Sequence, residues 1–410
     1  MSKITPAYLT AHYKPKILLI LMKLKRNIPL IYIIGSLMWG RFFIPVLALF
    51  YIASQVTIEQ FTIIMAIFSL TTLLLDIPTG VIADLFGKKK TLLISRFLYI
   101  AEIFLIAFFN GFWIFLIAKI ISGIGVSLSS GTSQSLLYDT LKVQKREKEH
   151  KKISGNLETI TNISMAFVFI IGAYLFSINT KLPAIASLPL IILGFILTFF
   201  IKEPPIKRKE FTMDNSISHF KESLKCFKKD NFVKYLAFFS FFTAATINIV
   251  LNLSSPYFKE ILIPIYLIGT IAFIGSMTTA FSSKNAHKLE RKIGEKYSIL
   301  LIQILVIMGI ILMSLILPYW GVLFYLIICL ASGFYNIVIN DYINKRIESE
   351  YRATILSIKS MFSNLGIFLL LPLAGYFIKI KSMGFSFLII GLIASLGYLL
   401  VYFYKKFKNL

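Results

Sequence analysis

The chain has 410 residues, 57% of them hydrophobic, with a mean hydropathy of +0.79 and a formal net charge of +24. Soluble domains hold about 45–50% apolar residues, so a water-exposed globule is excluded. The basic residues sit between apolar runs, which is the loop bias of a membrane protein and not the continuous patch of a nucleic-acid binder.

Residues 1–27 carry lysines around a short apolar run at 17–22, with no small-residue cleavage site after it. This pattern predicts a cytoplasmic segment lying on the inner leaflet rather than a secretory signal. Twelve apolar runs follow, at 28–53, 61–83, 91–109, 113–139, 155–178, 182–201, 235–256, 263–282, 298–317, 319–341, 357–378 and 384–404. Backbone groups in lipid must pair within their own segment, so the runs are helices. The alternation of a membrane β-barrel is missing. The polar segment 202–234 is too short to bury a core of its own. The predicted fold is an all-α membrane bundle of twelve helices in two six-helix halves, 28–201 and 235–404. A cytoplasmic central loop at 202–234 joins them, and a cytoplasmic tail at 405–410 ends the chain.

Of 43 Lys and Arg, 35 fall outside the spans on one side and four (Lys181, Lys259, Lys379 and Lys381) on the other. The bias alternates with every span, so both termini are expected in the cytoplasm. The halves echo one another. Gly87 and three lysines follow span 2, and Arg291-Lys-Ile-Gly294 follows span 8. Asp139 and Asp341 close spans 4 and 10 as cytoplasmic helix-end acids. Two repeated six-helix halves suit alternating access around a midplane site.

Cys226 and Cys329 give no disulfide framework, and four scattered histidines give no metal site. The sequence holds no nucleophile–base pair and no phosphate-binding G-x-x-x-x-G-K-[ST] loop. An enzyme and an ATP-driven pump are therefore not expected. No cofactor is expected either, and an ion gradient is the expected energy source.

The sharpest motif is the stretch from Asp76 to Lys90, Asp-Ile-Pro-Thr-Gly-Val-Ile-Ala-Asp-Leu-Phe-Gly-Lys-Lys-Lys. Gly80 admits a neighbouring helix, Asp84 stands at a helix end, Gly87 permits a tight turn, and Lys88 and Lys89 face the cytosol. An acid and bases this close can latch helix ends, and a latch that opens is a gate.

Arg41, Asp76, Arg96, Glu102 and Lys119 place charge inside the spans, at about 2.5–3.5 kcal/mol each near mid-bilayer unless paired or hydrated. Arg41 and Glu102 both lie about 16–20 Å from the cytoplasmic ends of their helices, which permits a pair. Such a pair is either static or a proton-exchanging carboxylate switched by a moving partner. Arg96 lies nearer the cytoplasmic face, where it snorkels or meets Asp139. The second half offers uncharged groups instead, Asn248 with Asn252 and Asn336 with Asn340, each pair on one helix face. These line a cavity or bond between helices. Tyr32 and Trp39 of span 1 are further cavity candidates.

The stretch Gly80, Asp84, Gly87, Lys88, Lys89 resembles the signature G-x-x-x-D-x-x-G-[RK]-[RK] of the major facilitator superfamily, with Leu85 where a basic residue is frequent. The preceding acid-Ile-Pro-Thr resembles a bacterial branch that includes drug and macrolide exporters. Residues 131–139 and 352–357 resemble it too. Lys119 with Gly123 resembles the family's basic residue four before a glycine in span 4, where proton-coupled members usually carry arginine. The glycine-proline signature of exporters in span 5 is absent, with Gly172 alone there. The resemblance implies a monomeric secondary transporter of the bacterial inner membrane. It would export a small amphipathic or antimicrobial molecule, or a self-made peptide antibiotic, by proton antiport. An importer or a lipid flippase of the same fold is the alternative.

Overall fold

The computed structural model describes residues 24–205, 227, 230–348 and 351–407, without the side chains of 76–85, 151, 353 and 405. The amphipathic segment predicted for residues 1–27 and most of the central loop lie outside this range.

Twelve α-helices make up the described chain. They are α1 (Asn27–Met38), α2 (Leu47–Ala53), α3 (Ile58–Phe86), α4 (Lys88–Phe108), α5 (Phe112–Val143), α6 (His150–Ile178), α7 (Leu182–Phe200), α8 (Asn231–Glu260), α9 (Ile265–Met313), α10 (Gly321–Arg346), α11 (Arg352–Ile380) and α12 (Met383–Phe407). Ten are long and apolar enough to cross a membrane. There is no strand among the described residues.

These twelve helices are not the twelve predicted spans one for one. Span 1, expected as a single helix over 28–53, is broken into α1, a 3-10 turn at Ile44–Val46 and α2. Spans 8 and 9 run together as α9, whose 49 residues would extend about 73 Å if straight. A bilayer is about 40–45 Å thick with its headgroups, so α9 must fold back. It does so at Gly294, where φ is 76° and an L side chain would be strained. The basic loop expected there is thus largely helical.

The halves repeat one another at backbone level. Gln55 after α2 and Leu262 after α8 share a left-handed φ of 66°, and they stand 207 positions apart. The following amides close the same turn, Val56 N to Tyr51 O at 3.1 Å and Ile263 N to Phe258 O at 2.9 Å. Gly87 and Gly294, again 207 apart, both have positive φ at the turn after span 2 or span 8.

Contacts between the halves gather at the end of the bundle that carries few cations. A Cβ on Gly375 of α11 would collide with Thr62 of α3. A Cβ on Gly269 of α9 would collide with the Phe169 carbonyl and with Ala173 of α6. Thr62 and Gly269 are 207 positions apart, so one packing device appears twice. Glu59 and Lys379 bridge the halves at the same end at 2.9 Å. Toward the other end, Asn156, Ile163 and Phe281 on the facing helices α6 and α9 are exposed.

Candidate transport site

The break in span 1 has a local cause. Pro45 lacks an amide hydrogen, and its ring would clash with the carbonyl of Arg41 in a continuous helix. Gly40 weakens the helix on the other side of Arg41. The chain turns instead, with Arg41 N donating to Trp39 O at 2.7 Å and Ile44 N to Arg41 O at 3.1 Å. A freed amide in lipid needs a partner. Phe42 N finds the Ser187 hydroxyl of α7 at 2.9 Å. The Phe42 carbonyl abuts Gly172 of α6, where a Cβ would not fit.

This turn carries Arg41 to Glu102 of α4, Nη1 to Oε2 at 3.2 Å. Lys119 of α5 takes the other carboxylate oxygen, Nζ to Oε1 at 2.7 Å. The Glu102 side chain is 0% exposed. Desolvating a carboxylate costs several kcal/mol, and two cations hydrogen-bonded to separate oxygens offset that cost. The structure thus brings together three of the five charges expected inside the spans.

Tyr99, not singled out in the sequence, organises the neighbourhood. The Arg41 guanidinium lies 4.3 Å from its ring centroid and that of Arg96 lies 5.7 Å away. Each contact contributes about 0.5–2 kcal/mol. The phenol bonds Ser129 Oγ at 3.0 Å, and the ring sits against Gly125 of α5. Gly123 admits Thr71 of α3 in the same way, so the small residues of α5 serve close packing. Arg96 does not reach Asp139, and Asp139 pairs with Lys88 instead.

Lys88 and Lys89 act within one half. Besides Asp139, Lys88 Nζ reaches Ser135 O of α5 at 3.5 Å, and Lys89 Nζ reaches Phe199 O of α7 at 2.5 Å. Gly87, with φ of 96°, turns the chain into α4, whose first amides at Lys88 and Lys89 meet the Glu203 carboxylate at 2.8 and 3.3 Å. Asp76, Gly80 and Asp84 lie on α3, but their side chains fall outside the described residues.

In the second half, Asn248 Nδ2 donates to Ala244 O at 2.9 Å and Asn252 Nδ2 to Asn248 O at 2.8 Å, both on their own helix. Asn248 stands 207 positions after Arg41, so the repeat carries an amide where the first half carries a guanidinium. Asn336 is exposed, and Asn340 accepts from Lys359 Nζ of α11 at 3.4 Å. Lys359 also lies 4.8 Å over the Tyr335 ring. An intramembrane half without cations was the expectation, and Lys359, seven residues into α11, corrects it. Asp341 pairs along its own helix with Lys345 at 2.6 Å. Tyr32 ties α1 to α6 through Ile153 O at 3.2 Å, and Trp39 is 44% exposed beside the break.

The family model described as Major Facilitator Superfamily matches residues 30–368. The chain is 25% identical to an uncharacterized MFS-type transporter, YxaM of Bacillus subtilis (strain 168), over 325 residues, which is 78% of this chain and 80% of that protein. Its fold is similar to that of the nucleoside transporter NupG at 13% identity, with a TM-score of 0.77 over 93% of this chain and 98% of that one. A D-xylose-proton symporter matches at 16% identity, with a TM-score of 0.69 over 92% of this chain and 96% of that one. A bacterial homolog of the lysosomal transporter Spinster matches at 14%, with a TM-score of 0.66 over 95% and 97%. The buried charge triad of the first half, with Arg41 on the broken first span, therefore sits in a multi-pass transporter, and the chain belongs to the major facilitator superfamily.

Proposed function

We propose that this protein is a proton-coupled antiporter that exports a small amphipathic or antimicrobial compound by alternating access. The observation that carries this reading is Glu102, held between Lys119 and Arg41, with Arg41 riding on the irregular turn of span 1. A turn without regular helical bonds can move more easily than the helices around it. When Arg41 withdraws, Glu102 loses a cation, its proton affinity rises, and it takes a proton from the side then open. When Arg41 returns, the proton leaves. The proton gradient supplies the energy, no cofactor is involved, and the unit is a monomer.

The 35-to-4 distribution of loop cations supports both termini in the cytoplasm, and the membrane that this reading assigns is the bacterial inner membrane. With that orientation, the halves meet at the outer end and the bundle faces inward. The acid-Ile-Pro-Thr-Gly stretch supports export. Import is the second reading, favoured by the named roles of similar folds, a nucleoside transporter and a D-xylose-proton symporter.

Susceptibility of cells with and without the protein across an antimicrobial panel finds the substrate. Everted vesicles then measure direction, and accumulation of that compound on acidifying the lumen is expected. Uptake insensitive to the proton gradient, or unchanged in Glu102→Gln, would remove the coupling assignment.

A further inference from the structure

Among the described side chains the charge around Tyr99 does not balance. Among the described residues the cluster has three cations, Arg41, Arg96 and Lys119, and one carboxylate, Glu102. Glu102 spends both oxygens on Arg41 and Lys119. Arg96 is only 8% exposed, no described carboxylate lies within ion-pairing distance of it, and its Nε has no hydrogen-bond partner. A buried guanidinium with only a ring face for company is costly, and a structure that keeps one has a use for it.

The geometry points to a binding site for the negatively charged group, carboxylate or phosphate, of an organic anion, held by Arg96 together with Arg41. This rests on the transporter reading above and names the substrate class. Both guanidinium carbons lie over one ring, at 4.3 and 5.7 Å from its centroid, so they are at most 10 Å apart. An anion bridged by two guanidinium groups holds their carbons about 8 Å apart, because each hydrogen-bonded pair sets a spacing of about 4 Å. Planar, bidentate, permanently charged donors suit such groups better than lysine does. Arg41 already bonds Glu102 through Nη1, so an arriving anion competes with Glu102 for Arg41. Substrate binding and release of the Glu102 carboxylate are thereby linked through one side chain. Lys359, with no described carboxylate within ion-pairing distance, adds positive charge in the second half.

The test uses the full-length protein in detergent with fluorescein, an amphipathic anion, and rhodamine 6G, a cation of similar size, read by fluorescence anisotropy. Fluorescein should bind about tenfold more tightly than rhodamine 6G, Arg96→Gln should weaken it about tenfold, and Arg96→Lys should retain part of the affinity. Equal or tighter binding of the cation, or an unchanged Arg96→Gln, would overturn the proposal. If Arg96→Gln does not purify as a folded species, the charge preference of the unaltered protein decides. Competition identifies the source of the anion. Displacement by hexyl phosphate or benzoate assigns a soluble anion, and displacement by phosphatidylglycerol alone assigns a lipid headgroup. Displacement by none of them refutes the site. Binding is read without a gradient, so it is independent of direction. Anion preference with inward transport keeps this inference and removes export, whereas export without charge preference does the reverse.

Discussion

Glu59, in the first turn of α3, and Lys379, in the last turn of α11, meet at 2.9 Å across the boundary between the halves. Their side chains are 28% and 61% exposed, so the pair contributes about 0.2–1 kcal/mol. Lys379→Gln should therefore raise the population open at this end by about 1.4- to 5-fold without harming the fold. Spin labels at Thr57 and Ser382, both exposed near this boundary, would read the change as a longer distance distribution. An unchanged distribution would show that the pair is ornamental.

The two glycine contacts beneath that pair should respond unequally. Gly375 faces the Thr62 side chain, which can rotate away, while Gly269 faces the Phe169 carbonyl, which cannot. Gly269→Ala should impair closure and transport more than Gly375→Ala does, with overpacking costs of about 1–3 kcal/mol. Transport rates in proteoliposomes, normalised to folded protein, test the ranking, and equal effects would count against it.

Removing Glu102 should do more damage than removing either of its partners. Glu102→Gln leaves Arg41 and Lys119 buried without a counter-charge, at about 3–5 kcal/mol. Lys119→Met leaves Glu102 paired with Arg41 and should cost less. Combining Glu102→Gln with Lys119→Met should recover part of the lost stability, because the double change removes one stranded cation. Thermal unfolding in detergent provides the comparison.

Lys181 gives a pH signature. It stands between α6 and α7, where burial pushes its ammonium down to about 8. Its Nζ caps the end of α4, donating to Ile106 O and Phe109 O, both at 2.9 Å. A lysine whose folded pKa lies below its unfolded value is more protonated in the unfolded chain between the two. Stability should then rise with pH from about 8 to about 10.5. The melting temperature of the parent protein minus that of Lys181→Met should increase over that window, and a flat or falling difference would contradict the placement.

The span pattern was readable because lipid forbids unpaired backbone, and the Arg41–Glu102 pair because both fall at one depth, whereas the place of Lys119 on the second carboxylate oxygen was not. The break in span 1 also had its signal, in Gly40 and Pro45 on either side of Arg41. An uninterrupted apolar run masked it, since hydropathy does not register a missing amide. The roles of Tyr99, Ser187 and Gly172 were not readable. Each depends on which face of one helix meets another, and an aromatic, a serine and a glycine in an apolar run carry no mark of their partner. Lys359 stands at the cytoplasmic edge of the predicted span 357–378, where it reads as one more cation of the preceding basic loop, but α11 starts five residues before that span and places it a further turn inside the helix.

The broken first span also bears on how the protein is made. Its two helical pieces have 12 and 7 residues, both shorter than the roughly 20 that cross a bilayer unaided. The acid that neutralises Arg41 lies 61 residues later, and the hydroxyl that satisfies Phe42 N lies 145 residues away from it. While the ribosome is still adding the third and sixth spans, the first has an unpaired guanidinium and an unpaired amide at mid-depth. This segment must therefore wait beside the insertion machinery, and it reaches its native form only after the sixth span has been synthesised.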